Sequence, residues 1–305
     1  MSSIASMGTP IARADSARRT LGELLREWRG TRGVSQLELA LRAGFSSRHV
    51  SFIETGRTQA SRQAVLILAE ALDVPLRERN RLLEAAGYAH VYRHTPLAAE
   101  EMSHVRGVLQ FLLDRHEPYA AIVLDRYSNC LMGNRASARL VAALVDPSLI
   151  GEHANHLRLV FHPLGARRWI VNWDEVARHL LGRAERDFGQ SAPDTIGIAL
   201  LAELRGYRVP DPARSPSCSL KAADLLLPIH IRKNDLELRL FSTIMTLGTP
   251  QDVTLQELRV ETFFPSDAAS ERAWMRLMSE ESGDPAGRGN RHCARADPGE
   301  VVSRD

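Results

Sequence analysis

Apolar residues in the first third of the chain recur at helical intervals, and the breaks between runs fall on glycine, serine or proline. Leu21, Leu24, Leu25 and Trp28 share one helical face, and Gly33 supplies the left-handed residue that stops it. Ser35 is placed to cap a second helix, with Glu38 three residues on as the return half of a capping box. Leu37, Leu39, Ala40 and Ala43 supply that helix's buried side before Gly44 ends it. Ser46 or Ser47 opens a third helix carrying Val50, Phe52 and Ile53, closed at Gly56. Ser61 opens a fourth, with Val65, Leu66, Leu68, Ala69 and Leu72 inward. Pro75 begins a fifth, where its missing N–H costs nothing, and Leu82, Leu83 and Ala86 complete the core before Gly87. The pattern predicts an all-α domain of five helices over residues 18–87, preceded by a flexible N-terminus, 1–17.

The texture then changes. Residues 88–100 read as a linker, and Met102, Val105, Val108, Leu109, Leu112 and Leu113 mark another amphipathic helix. Tyr119–Leu124 reads as a buried strand, and Ala136–Leu144, Asp174–Leu181 and Thr195–Leu204 as helices. The proline-rich stretch 206–219 reads as a loop. Three strand-like runs follow, Leu225–Arg232, Leu236–Leu247 and Leu255–Phe264, the first two joined as a hairpin at Lys233, Asn234 and Asp235. Residues 101–267 are thus expected to form an α+β domain with an antiparallel sheet. The remainder, 268–305, is assigned as a largely disordered C-terminal tail, being poor in large apolar groups beyond about residue 280.

Charge adds a direction to this outline. The net charge of +2 hides an asymmetry: residues 11–94 hold 14 Arg against 9 acidic residues, a surplus of +5 that leaves the rest of the chain at −3. A polyanionic partner would meet the N-terminal part. Lys221 and Lys233 are the lysines, so nearly all positive charge is arginine. Cys130, Cys218 and Cys293 are odd in number and outside any CxxC spacing, which argues against a disulfide framework or a zinc site. The first 17 residues lack an apolar h-region and no run approaches 18 apolar residues, so a cytoplasmic protein without membrane spans is expected.

A helix-turn-helix needs two short helices joined by a tight turn, so that the second can present its N-terminal residues to the major groove. The segment Ser35–Arg57, SQLELALRAGFSSRHVSFIETGR, meets that requirement. Through Ser35-Gln36, Leu39-Ala40, Gly44, Ile53-Glu54 and Gly56-Arg57 it resembles the xenobiotic-response-element type, the family of Cro and the lambdoid phage repressors. The resemblance implies a lambda-repressor-like fold and double-stranded operator DNA as partner. It implies that Gln36 bonds a phosphate and that Ser46, Ser47 and Arg48 face base edges. Arg48 is the first choice for reading guanine, with a phosphate contact as its alternative. His49, Ser51 and Phe52 lie on or beside the exposed side, where Phe52 either meets a thymine methyl or packs. Arg57 and Arg62 would meet phosphates. Glu54 is read as a structural hydrogen-bond acceptor.

Further stretches resemble the ligand-binding domain of MmyB-like regulators, a PAS-like fold behind such a helix-turn-helix. They are Leu76–Tyr88, Leu113–Arg126, Gly133–Ser137, Ile170–Leu181 and Thr246–Asp267. The resemblance implies an apolar pocket for a small ligand, a fatty acid or similar metabolite, with no cofactor. Phe161, Trp169, Trp173, Phe241, Met245 and Phe263 are candidates to line it, though aromatic and Met stripes are more often plain core. Asn134 either orients the ligand or caps the helix that follows. Repressors of this architecture read two half-sites, so a homodimer is expected, joined through the second domain or the junction helices.

Two other classes compete. An enzyme would need a site, but no P-loop, GxGxxG, GxSxG or HExxH occurs, and His153 and His156 lack further metal ligands and are read as solvated. A protein-interaction module would use a short tail, whereas this second domain is patterned for its own core.

Overall fold

The computed structural model describes residues 19–151, 154–189, 194–207 and 228–279. Five helices come first: α1 (Leu21–Thr31), α2 (Gln36–Ala43), α3 (Ser47–Glu54), α4 (Arg62–Ala71) and α5 (Leu76–Ala85). The hydroxyls of Ser35, Ser46 and Ser61 cap α2, α3 and α4 by accepting the amides of Glu38, His49 and Ala64. A reciprocal capping box forms at α1, between Thr20 and Glu23. At Ser35 the hydroxyl half forms, while the Glu38 carboxylate turns to Arg42. Leu25, Leu39, Val50, Val65, Leu68 and Leu83 are fully buried in one core.

Two details depart from the sequence pattern. Leu37, expected inward, is 61% exposed. The run from Gln36 to Ala43 carries leucine at 37, 39 and 41, more than one face can bury, and the core takes Leu39 with Ala40 and Ala43. Gly22, which the pattern does not mark, is required by packing: a Cβ there would lie 2.2 Å from the carbonyl oxygen of Glu54. Here α1 crosses the end of α3 in direct backbone contact.

The second part comprises α6 (Ser103–His116), β1 (Ala121–Leu124), β2 (Cys130–Gly133), α7 (Arg135–Leu144), α8 (His156–Phe161), α9 (Trp173–Gly189), α10 (Thr195–Gly206), β3 (Ile229–Lys233), β4 (Leu236–Met245), α11 (Val253–Glu257), β5 (Arg259–Pro265) and α12 (Ala268–Ser279). Its five strands form one antiparallel sheet in the order β2-β1-β5-β4-β3. Alternation divides the sheet's faces. Val123 and Val260 pack under Leu109 and Leu113 of α6, whereas Ile122, Leu240 and Phe263 face the opposite layer, with α7, α8 and α9 over it.

Several boundaries move. The run expected as one strand from Leu255 is α11 followed by β5, because Asp252 caps a helical turn through the Thr254 amide. The short β2 and α8 carry too few residues to show a period. Residues 268–279, assigned to the tail, form α12, whose fully buried Trp274 donates its indole N–H to the Pro118 carbonyl. The linker is tied down: the Asn80 side chain accepts the amides of Val91 and Tyr92 and donates to the Tyr92 carbonyl. Asp252 then accepts the Thr95 amide and hydroxyl. The N-terminal stretch 1–17, His153, residues 208–227, with most of the expected loop and the start of the strand expected from Leu225, and the chain beyond 279 lie outside the described residues.

Candidate nucleic-acid interface and ligand cavity

The left-handed Gly44, at φ 69°, turns α2 into α3 and leaves the N-terminus of α3 in solvent. Ser46, Ser47 and Arg48 are exposed there, and His49 is half-buried with its ring 5.3 Å from that of Phe45. Ser46 spends one lone pair on its cap, which leaves Ser47 and Arg48 as the less committed side chains. Phe52 packs rather than reaching out: the Arg48 and Arg57 guanidiniums lie 5.1 and 5.9 Å over its ring. One aromatic thus holds two cations on the same surface. Ser51 is half-buried and Arg62 exposed at the start of α4. Glu54 is buried and accepts from Arg29 at 2.9 Å and from the Gln36 amide at 2.7 Å. Gln36 retains a second amide hydrogen beyond the one given to Glu54.

The second site is a cavity of about 310 Å³ between the sheet and α7, α8 and α9. Its walls are aliphatic, including Ile122, Leu140, Val176, Ile231 and Leu240. Its polar groups are Ser137, His156, His179, Arg183, Ser242 and Glu261. Glu261 is 3% exposed and pairs with the Arg183 guanidinium at 3.6 Å. Arg183 also approaches Asp187 at 3.9 Å, and Asp187 bonds Arg259. Burial holds the His156 imidazole below its usual pKa, opposed by nearby Glu261 and reinforced by Arg183. The volume is at the lower end for small-molecule sites, and a mostly apolar wall with a few polar groups is their usual make-up.

Comparison with known families agrees with both halves. A helix-turn-helix domain family matches residues 20–82, and the family described as MmyB-like transcription regulator ligand binding domain matches residues 105–277, more than half of the chain. The chain belongs to the MmyB-like transcription regulators. It is a DNA-binding regulator with a ligand-binding domain. Among curated proteins, none matches it significantly.

In this MmyB-like regulator the aromatic candidates separate. Phe263 lines the cavity; Phe241 borders it too, but its ring stacks on Phe264 at 5.4 Å on the sheet's α6 face. Phe161 and Trp173 do not line it: they pack edge to face at 5.1 Å in a neighbouring core with α10. Met245 is 45% exposed, and Trp169 donates to the Leu144 carbonyl beneath Lys233 and Arg168. Asn134 is the cap of α7, its oxygen accepting the amides of Ala121 and Ser137 and its nitrogen donating to the Tyr119 carbonyl, so its polar atoms are spent. His156, read as solvated, instead lines the cavity. Sequence reasoning missed Arg183, His179 and Glu261. The signals were a polar stripe at 179, 183 and 187 along α9, and one carboxylate inside the apolar run of β5. Among the described residues, no cluster of three or more His, Cys, Asp or Glu is placed to hold a metal, and no helix is long and apolar enough to cross a membrane.

The regulator's two parts are joined through charge. Arg77 of α5 makes a bidentate pair with Glu257 of α11, at 2.6 and 2.7 Å, and the Leu76 amide donates to Gln256. Glu257 also faces Arg126, which pairs with Asp194 at 2.6 Å.

Proposed function

We propose that the chain is a cytoplasmic, homodimeric repressor with a PAS-like sensor, in which α3 reads the operator and the cavity holds a fatty acid or similar amphiphile. On this reading Ser47 and Arg48 meet base edges, with Ser46, His49 and Ser51 beside them, while Gln36, Arg57 and Arg62 grip phosphate. The apolar wall takes the acyl chain. Arg183, with further guanidinium N–H groups beside those that face Glu261 and Asp187, takes the head, with His156 and His179 as neighbouring donors. The observation that supports the ligand class is an arginine and two histidines, beside the one carboxylate of Glu261, at the wall of a mostly apolar cavity.

Two measurements on one preparation test it. Selection of bound DNA from random sequence should give a defined site, and Arg48→Ala should erase the preference at one base position. Uniform weakening would make Arg48 a phosphate contact. Mass spectrometry of the denatured protein, with thermal shifts across saturated fatty acids, should reveal a bound or stabilising amphiphile. A protein that releases none and is stabilised by none refutes the ligand half.

A further inference from the structure

On α6 a single face is spent on the sheet. Leu109 and Leu113 are buried against β1 and β5, while Val108 and Phe111 remain 41% and 57% exposed. His104 and Arg115 of α6 are exposed too, as is Glu101 in the 3₁₀ turn Glu100–Met102 that leads into it. Together these occupy positions 101, 104, 108, 111 and 115, the alternating three- and four-residue spacing of a helix-pairing seam. One end of the seam is acidic, at Glu100 and Glu101. The other is basic, at Arg115, whose guanidinium lies 5.2 Å over the Phe111 ring. Gly107, at the middle, has open space where a Cβ would stand. One step round the helix, His116 meets Phe264 at 4.9 Å, and Phe264 stacks on Phe241 at 5.4 Å. Beyond them the exposed Met245 is paired with Val260, on the face that α6 only partly covers.

We infer that two copies of the chain meet on this surface, with α6 antiparallel to its counterpart across a two-fold axis at Val108. The charge pattern selects that occupant. Arg115 on α6 and Glu101 in the 3₁₀ turn that precedes it each stand seven residues from Val108, roughly 10–12 Å away along the axis. An antiparallel pair therefore brings each Glu101 to the other copy's Arg115, and it does so twice. A parallel pair would set Glu101 on Glu101 and Arg115 on Arg115, and like charge rejects it. A surface complementary to itself under a two-fold is what an isologous dimer requires. This inference deepens the homodimer reading above and rests on it.

The test uses the full chain, with mass in solution followed across a dilution series by light scattering and sedimentation. The expected result is a dimer that Phe111→Glu makes monomeric, with unfolding of the diluted protein unchanged because the side chain is exposed. Glu101→Arg and Arg115→Glu should each weaken association about tenfold through two symmetric contacts, and the two together should restore it. A dimer indifferent to all of these variants overturns the surface while leaving the homodimer reading intact. A chain monomeric at every concentration overturns both. Weakening by each single reversal without restoration in the double overturns the antiparallel pairing.

Discussion

The pair formed by Arg183 and Glu261 separates the cost of folding the cavity from its preference for a ligand. Arg183→Leu leaves Glu261 in an apolar wall, its side chain 4% exposed, with no guanidinium 3.6 Å away. Stranding a buried carboxylate costs about 3–5 kcal/mol. Arg183 keeps 20% of its surface, so water reaches the pair and the lower end of that range applies. For a unit of this size the loss corresponds to roughly 10 °C in Tm. Arg183→Leu combined with Glu261→Gln removes both charges and should recover most of that loss. The double variant then carries the ligand test, because it is folded and lacks the anchor. Titration calorimetry with a saturated fatty acid and the alcohol of equal chain length should show the wild type preferring the acid, and the double variant losing about tenfold or more of that preference, the worth of one charge-assisted hydrogen bond. An unchanged acid preference in the double variant would falsify the role given to Arg183. A single variant as stable as the double would refute the claim that the pair is buried.

Three further outcomes follow from the geometry. Gly22→Ala sets a methyl 2.2 Å from the Glu54 carbonyl, so urea unfolding should show a loss of about 3 kcal/mol, and a loss under 1 kcal/mol would mean that α1 and α3 are not in backbone contact. Arg57→Ala and Arg62→Ala should each weaken DNA binding alike on all sequences and lower the salt slope by about one; a change in sequence preference would make either a base reader. His156 and His116 are both pushed below the usual 6.5 by burial, so the unfolded chain binds protons first as pH falls. Their share of stability is complete well above pH 6.5 and is lost as pH drops through that value toward their folded pKa. Melting between pH 8 and pH 5.5 should therefore show Tm falling with acid, less steeply in His156→Gln.

Much of the N-terminal part was legible because each of its signals is local. Serine at a cap, glycine at a left-handed turn and leucine every three or four residues act within one helix, and four glycines at 33, 44, 56 and 87 do take positive φ. What the pattern misplaced depends on partners far along the chain. Leu37 and Leu39 are alike in sequence, and the packing of α2 alone decides which is buried. Trp274 finds its hydrogen-bond acceptor 156 residues earlier. The exposed N-terminus of α3 could be read residue by residue, since exposure there follows from position along the helix. The cavity could not: Arg183 and Glu261 come from a helix and a strand far apart in sequence, and size and aromaticity pointed to Phe161 and Trp173, which only support the wall.

For cavity occupancy to alter DNA affinity, the ligand must favour one arrangement of the two parts over another. A purely aliphatic pocket would offer no lever, since among the described residues none that line it belongs to the helix-turn-helix. The charged wall does. Arg183 stands between Glu261 and Asp187, Asp187 is shared with Arg259, and Arg259 lines the same cleft as Arg77 and Glu257. Arg77 lies in the first turn of α5, and α5 contributes the buried Leu82 and Leu83 to the DNA-binding core. On the proposed reading, a head group that draws on Arg183 would change the partner Asp187 can hold, and through Arg259 the field in which Arg77 and Glu257 pair. That last pair is only 32% and 19% exposed, so salt screens it weakly and a shift of charge beside it is felt. Its two parallel N–H···O bonds tie Arg77 of α5 to Glu257 of α11 in one geometry, so a change of charge beside them bears on how the two parts are held together.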